Sequence, residues 1–206
     1  MLTKTLTRTI AEGRYDAVWR ASERYQRARK NDIHIPLSFA FACRLLEQYA
    51  EADADIVLLA TLLHDIGWWA IDAKDIFERG FGPDMMQSDV RFLHEREGVR
   101  LSREILVATG SWSEHIITSV GEIIDGHDTR PYPRSLNDRL MRDADKLWRF
   151  TVPGVAIACD WFKLSPRDYA DRLQEDILPK LETELGQRLA ETELASTREA
   201  LMMHLL

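Results

Sequence analysis

This chain is short of the residues that interrupt helices. It holds 10 glycines and 7 prolines among 206 residues, too few for the many tight turns of a sheet protein. Cysteine is scarcer still: Cys43 and Cys159 stand alone in FACRLL and AIACDWF, which excludes a disulfide framework and a thiolate metal site. Buried, reduced thiols are expected, and with them a cytoplasmic location. There is no excess of positive charge. The formal charge is −7, which gives no support to a nucleic-acid partner, for which a basic face is wanted. No apolar run approaches the ~18–20 residues that cross a bilayer, so no membrane partner is expected. The opening MLTKTLTRTIAEGRYD has neither an apolar h-region nor a small-residue cleavage site, and no signal peptide is read there.

What is present is helix-forming sequence with a core. Apolar residues make up 45% and charged residues 30%, with Leu, Ala, Glu and Arg prominent, and the apolar positions follow helical periodicity. The fold class expected is all-α, a compact single-domain bundle of antiparallel helices. Helices are predicted over 14–30 and, after a break at NDIHIP with Pro36 in the first turn, to about Glu51. The next is capped by Asp53 or Asp55 and stops at Gly67. After a loop with a short helical turn over 72–87, Ser88 or Asp89 opens a helix to Thr109, and Ser113 opens one to Asp125. Asn137 is expected to cap a helix to Phe150; short helices follow to Lys163 and from SPRD to about Leu185, then an amphipathic tail over 188–205.

The stretch LLATLLHDIGWW sets a histidine and an aspartate in the most apolar part of the chain. A carboxylate hidden there is costly unless positive charge meets it. No Lys or Arg lies within eight residues of Asp65 on either side, so the compensation must come from elsewhere in the fold or from a bound ion.

Four of the 6 histidines, His34, His64, His94 and His127, each fall near the end of a different predicted helix. A bundle can bring such ends together. Two acids follow the last of them in RLMRDADKLWRF. Asp143 has Arg139 and Lys146 at helical spacing and reads as a solvated ion-pair face. Asp145 has Met141 and Trp148 on its stripe and reads as the inward acid. Buried carboxylates with neutral imidazoles suit one or two divalent transition ions, whether Fe, Mn, Zn, Co or Ni. Gly98, one turn above His94 in HEREGVRL, costs about 1 kcal/mol relative to alanine and reads as making room. His115 and His204 read as ordinary helix residues.

With these residues in view, the chain resembles the HD-domain superfamily of metal-dependent phosphohydrolases. The likeness rests on IHIPLSFAFACRLL, ATLLHDIG and RDADKL, and spans roughly residues 30–150. It implies an HD-type metal-binding helical domain over 31–150, with an N-terminal helix over 1–30 packed on it and C-terminal helices over 151–206 in the same compact unit. It also implies that His34, His64, Asp65 and Asp145 hold one divalent metal. HEREG (His94) and IIDGHD (His127) match the two further histidines by which many members hold a second ion, with Asp65 bridging. Many members carry a lysine where this chain has Trp68, and the paired histidine and GYP loop of the cyclic-di-GMP phosphodiesterases are not here.

The function expected is hydrolysis of a phosphate ester or anhydride on a small phosphorylated molecule, a nucleotide among the options. Asp65 and His64 stand at the catalytic centre, and water attacks in line. Lys146, Arg149 and Arg130 are the residues expected to grip phosphate. Trp68 and Trp69 face a choice between stacking on a ring and packing in the core. Two alternatives stay open: a mixed-valent di-iron oxygenase of the same superfamily, and a non-catalytic ligand-sensing domain. A homodimer is compatible with the apolar C-terminal helix faces.

Overall fold

The computed structural model describes residues 13–79, 89–110 and 112–203. Among these residues the secondary structure is helical and contains no strand, as the scarcity of turn formers required. Ten α-helices follow one another: α1 (Asp16–Ser22), α2 (Asn31–Leu46), α3 (Ala54–Leu63), α4 (Ala73–Arg79), α5 (Asp89–Thr109), α6 (Glu114–Ile124), α7 (Leu136–Leu147), α8 (Val152–Phe162), α9 (Pro166–Arg172) and α10 (Glu184–Met203).

At the centre lies α3, the most apolar helix, buried along its length from Ile56 to Leu63. It packs on α2, α6 and α7, which leaves it no solvent face. The helix starts where the Asp53 side chain accepts from the backbone N–H groups of Asp55 and Ile56. It ends at Leu63, earlier than the expected Ile66, and the chain tightens into a 3-10 turn over Ile66–Ala70.

Gly67 makes this turn fit. A Cβ there would lie 1.9 Å from the His94 carbonyl oxygen and 2.5 Å from the Gly98 nitrogen. Two glycines thus let α5 cross the backbone that follows the His-Asp doublet. Gly98 does make room, and the room is filled by the 64–67 backbone and by Ile124.

Several sequence expectations are corrected. The helix over 14–30 is cut at Ser22, and two 3-10 turns follow, with Arg29 and Lys30 in left-handed conformation at φ 50° and 60°. Each costs about 1 kcal/mol for a residue with a side chain. The break therefore falls before NDIHIP, which forms the start of α2, and Pro36 lies inside the helix instead of in its first turn. Tertiary bonds explain the early start: the Asn31 amide donates to the Asp65 carbonyl at 3.2 Å, and its oxygen lies 3.3 Å from His34 Nδ1. The helix closes at Leu46 and does not reach Glu51. Ser135, not Asn137, caps α7; Asn137 instead accepts from the Asp53 N–H. The helix from Pro166 yields at Leu173 to a π-turn and then a 3-10 turn, and α10 begins at Glu184.

Asp143 departs most from its expected role. It is fully buried and accepts from Glu182 N, Thr183 N and Thr183 Oγ1 at 2.7, 2.9 and 2.6 Å. It ties the start of α10 to α7. Cys43 and Cys159 are free thiols, half-buried where full burial was expected. No helix of the described residues is long and apolar enough to cross a membrane. Ser88 and His204 fall outside the described residues.

Candidate metal centre

Five helix ends converge on one buried spot. His34 comes from the first turns of α2, His64 caps the end of α3, and Asp65 follows it. His94 stands near the start of α5, His127 just beyond α6, and Asp145 in the last turn of α7. All are buried, and Asp65 is 5% exposed.

Two triads form, and they share one residue. His34, His64 and Asp65 offer ligand atoms within 4.8 Å of one another, and so do Asp65, His94 and His127. Asp145 joins the first, with Oδ1 2.8 Å from His34 Nε2 and 3.3 Å from His64 Nε2. In the second, His94 Nε2 and His127 Nε2 are 3.5 Å apart and lie 3.8 and 3.7 Å from Asp65 Oδ1.

The chain holds the rings so that Nε2 points inward. His64 Nδ1 donates to the Thr61 carbonyl at 3.0 Å and His127 Nδ1 to the Ile124 carbonyl at 2.9 Å. A backbone bond on Nδ1 orients each ring and leaves Nε2 facing the carboxylates, where it can carry either a proton or a cation. His64 Nε2 is buried and has no hydrogen-bond partner. An orphaned ring nitrogen among carboxylates fits a cation, and the nitrogen–oxygen donor set suits a first-row divalent ion.

The electrostatics agree. Burial alone would raise the Asp65 pKa, yet the imidazoles of His64, His127 and His34 outweigh it and hold the carboxyl well below its usual range. Asp145 behaves likewise through His34 and His64. Burial and the neighbouring His127 push His94 down to about 3, so it is a neutral imidazole at ordinary pH. Burial works against charge on His127 too, but Asp65 and Asp128 lift it to about 9. Positive charge gathers where the carboxylates require it.

A further layer orients these groups. Trp68 Nε1 donates to Asp65 Oδ1 at 3.0 Å, and its ring stacks on His94 at 4.1 Å between centroids. Trp68 is therefore buried against the cluster, while Trp69 is 52% exposed. Trp148 stacks on His34 at 4.6 Å. Glu95 accepts from the Asp128 and Thr129 N–H groups, both at 2.9 Å, and pins the loop carrying His127 to α5.

A family model described as HD domain matches residues 32–149, more than half of the sequence. The chain belongs to the HD domain family. No curated protein and no solved structure matches it significantly. Members of this family are mostly metal-dependent hydrolases and typically bind divalent metals.

Among the residues expected to grip phosphate, Arg149 lies within electrostatic reach of Asp145, Asp128 and Asp65, which raise its pKa against the effect of burial. Lys146 Nζ donates to the Arg142 carbonyl at 3.2 Å and lies within electrostatic reach of Asp145 and Asp143. Arg130 is committed elsewhere. It pairs with Asp138 and donates to the carbonyls of Asp125, Tyr132 and Glu122, so it holds the loop after His127. Sequence reasoning missed Asp128, whose Oδ2 lies 3.8 Å from His94 Nε2. Its signal was in view: His127-Asp128 repeats the doublet of His64-Asp65. His115 is exposed and takes no part.

Proposed function

We propose that this HD-domain protein is a metal-dependent phosphohydrolase, cleaving a phosphate ester or anhydride of a small molecule with water as the nucleophile. His34, His64, Asp65 and Asp145 would hold one divalent ion, and His94 and His127 a second, with Asp65 common to both. The observation that carries this reading is the shared Asp65: one buried carboxylate belongs to two ligand triads. That is the arrangement a pair of ions ~3.5–4 Å apart requires.

Divalent ions supply Lewis acidity there, both to a phosphoryl oxygen and to the attacking water. The chain's own residues do the rest. His64 and His127 are locked by their backbone bonds, so little reorganisation accompanies the reaction. Asp128 borders His94 and Arg91, and helps to orient that side of the cluster. Arg149 and Lys146 oppose charge accumulating on the phosphoryl oxygens. A covalent thiol route finds no support: burial pushes the Cys43 thiol up to about 11 and raises that of Cys159.

Metal analysis of protein purified without chelator, followed by a phosphate-release screen over nucleotides and simple phosphate esters, tests the reading. Release that depends on Mn, Co, Ni, Zn or Fe and stops on chelation is expected. An iron protein with a paramagnetic signal after partial reduction, and no phosphate release with any metal, would replace hydrolysis by oxygen activation.

A further inference from the structure

Arg29 belongs to no motif, yet it links the two sides of the metal centre from behind. Its guanidinium carbon lies 4.3 Å from the ring centroid of Trp68 and 5.5 Å from that of Trp161. Both distances fall within the reach of a cation–π contact, about 6 Å. Trp68 in turn stacks on His94 at 4.1 Å and donates to Asp65 Oδ1 at 3.0 Å. Trp161, on α8, meets Trp148 edge to face at 6.2 Å, and Trp148 stacks on His34 at 4.6 Å. These contacts form an arc that runs His94, Trp68, Arg29, Trp161, Trp148, His34. It starts on a histidine of one triad and ends on a histidine of the other.

The segments that carry the arc are distant in the chain. Arg29 stands in the 3-10 turn Ala28–Lys30, Trp68 in Ile66–Ala70 and Trp148 in Trp148–Phe150. The backbone at Arg29 is strained to meet them. Arg29 sits at φ 50°, ψ 31° and Lys30 at φ 60°, ψ 30°, a region that glycine enters freely and other residues rarely. Such strain persists only where the surrounding contacts over-determine it. The same turn delivers Asn31, whose amide donates to the Asp65 carbonyl at 3.2 Å.

The chemistry of the link fits as well. A planar guanidinium stacks on aromatic faces, whereas an ammonium is compact and strongly hydrated. Charge alone argues the other way: a cation one ring removed from a site for cations opposes their binding. A contribution to that site must therefore come from where Arg29 holds its neighbours.

We propose that Arg29 is a positioning residue for the metal centre. By joining Trp68 to Trp161 it fixes the indole donor on Asp65 and the rings stacked on His94 and His34, and so keeps both triads in ligand geometry. The proposal rests on the metal-centre reading and not on the reaction performed there.

The test titrates metal-free protein with cobalt(II) by calorimetry, records the visible absorption of the bound cobalt, and checks the fold by circular dichroism. Arg29→Gly, Trp161→Leu and the variant carrying both are compared with the wild type. Glycine accepts the left-handed backbone while removing the guanidinium. Arg29→Gly is expected to keep its helical signal, bind cobalt about tenfold more weakly and alter the cobalt spectrum. Trp161→Leu cuts the arc farther from Asp65 and is expected to weaken binding less. The double variant is expected to bind no more weakly than Arg29→Gly, because both substitutions cut the same arc. Cobalt bound by Arg29→Gly as tightly as by the wild type, or more tightly, overturns the proposal and leaves the metal centre standing. Effects that add in the double variant overturn it too, since the two residues would then act separately. If Arg29→Gly does not fold, Trp161→Leu decides: weaker cobalt binding with the fold retained supports the arc, and unchanged binding overturns it. A wild type that binds no cobalt overturns the metal centre, and the positioning role with it.

Discussion

Asp143 and Asp145 stand two residues apart on α7, and both are buried. Asp143 receives two backbone N–H groups and one hydroxyl from the segment that opens α10. Its surroundings are so close that a Cβ on Gly186 would come within 2.5 Å of Oδ2. Asp145 lies against ring nitrogens, 2.8 Å from His34 Nε2 and 3.3 Å from His64 Nε2. The first carboxylate is satisfied by ordinary donors and requires nothing more. The second faces imidazoles, which could hold a metal ion. Burial of an acid therefore does not mark a site by itself. The chemistry of what meets it does.

This contrast can be broken or sharpened experimentally. The largest effect is expected at the residue that both triads share. Asp65→Ala should bring metal content to background and lower phosphate release by about 10³-fold or more, with the helical circular dichroism retained. Metal content unchanged in that variant would refute the centre. Next comes the structural acid. Asp143→Ala strands three donors, two of them buried, and should lower unfolding free energy by about 3 kcal/mol, read by denaturant titration, while metal per folded molecule stays as in the wild type. Loss of metal there would erase the distinction between the two aspartates.

A smaller change is expected on the other side of Asp65. His94→Ala and His127→Ala should each reduce metal stoichiometry from about two toward one, with the His34–Asp145 side still occupied. No reduction in either would make the centre mononuclear. Finest is Trp68→Phe, which keeps the stacked ring and deletes the donor to Asp65. It should retain metal and lose about tenfold in activity. An unchanged rate would show that the indole serves packing alone.

Much of the His/Asp cluster was legible in the sequence. His34, His64, Asp65, His94, His127 and Asp145 stood out because each places a polar or charged group on an apolar stripe or at a helix end, where its cost demands an explanation. The caps Asp53 and Ser113 were legible for a local reason: their side chains bond N–H groups two or three residues on. Elements decided by distant partners were not. Helix α2 starts early because Asn31 reaches the Asp65 carbonyl. Asp143 turned inward because the start of α10 supplied donors from about forty residues away in the chain, a pairing its helical neighbours Arg139 and Lys146 did not foretell.

The amino-acid sequence alone determined that the chain is helical, that it has no thiolate site, and that a His-Asp doublet lies in its core. Periodicity, composition and the cost of burying charge are all local quantities. Only the tertiary structure decided that Arg29 would come to lie over Trp68, that Arg130 would be consumed by Asp138, and that one aspartate of α7 would close a helix while its neighbour turned to imidazoles. Those outcomes depend on which groups are brought within hydrogen-bonding or Coulombic range after folding, and spacing along the chain does not encode that.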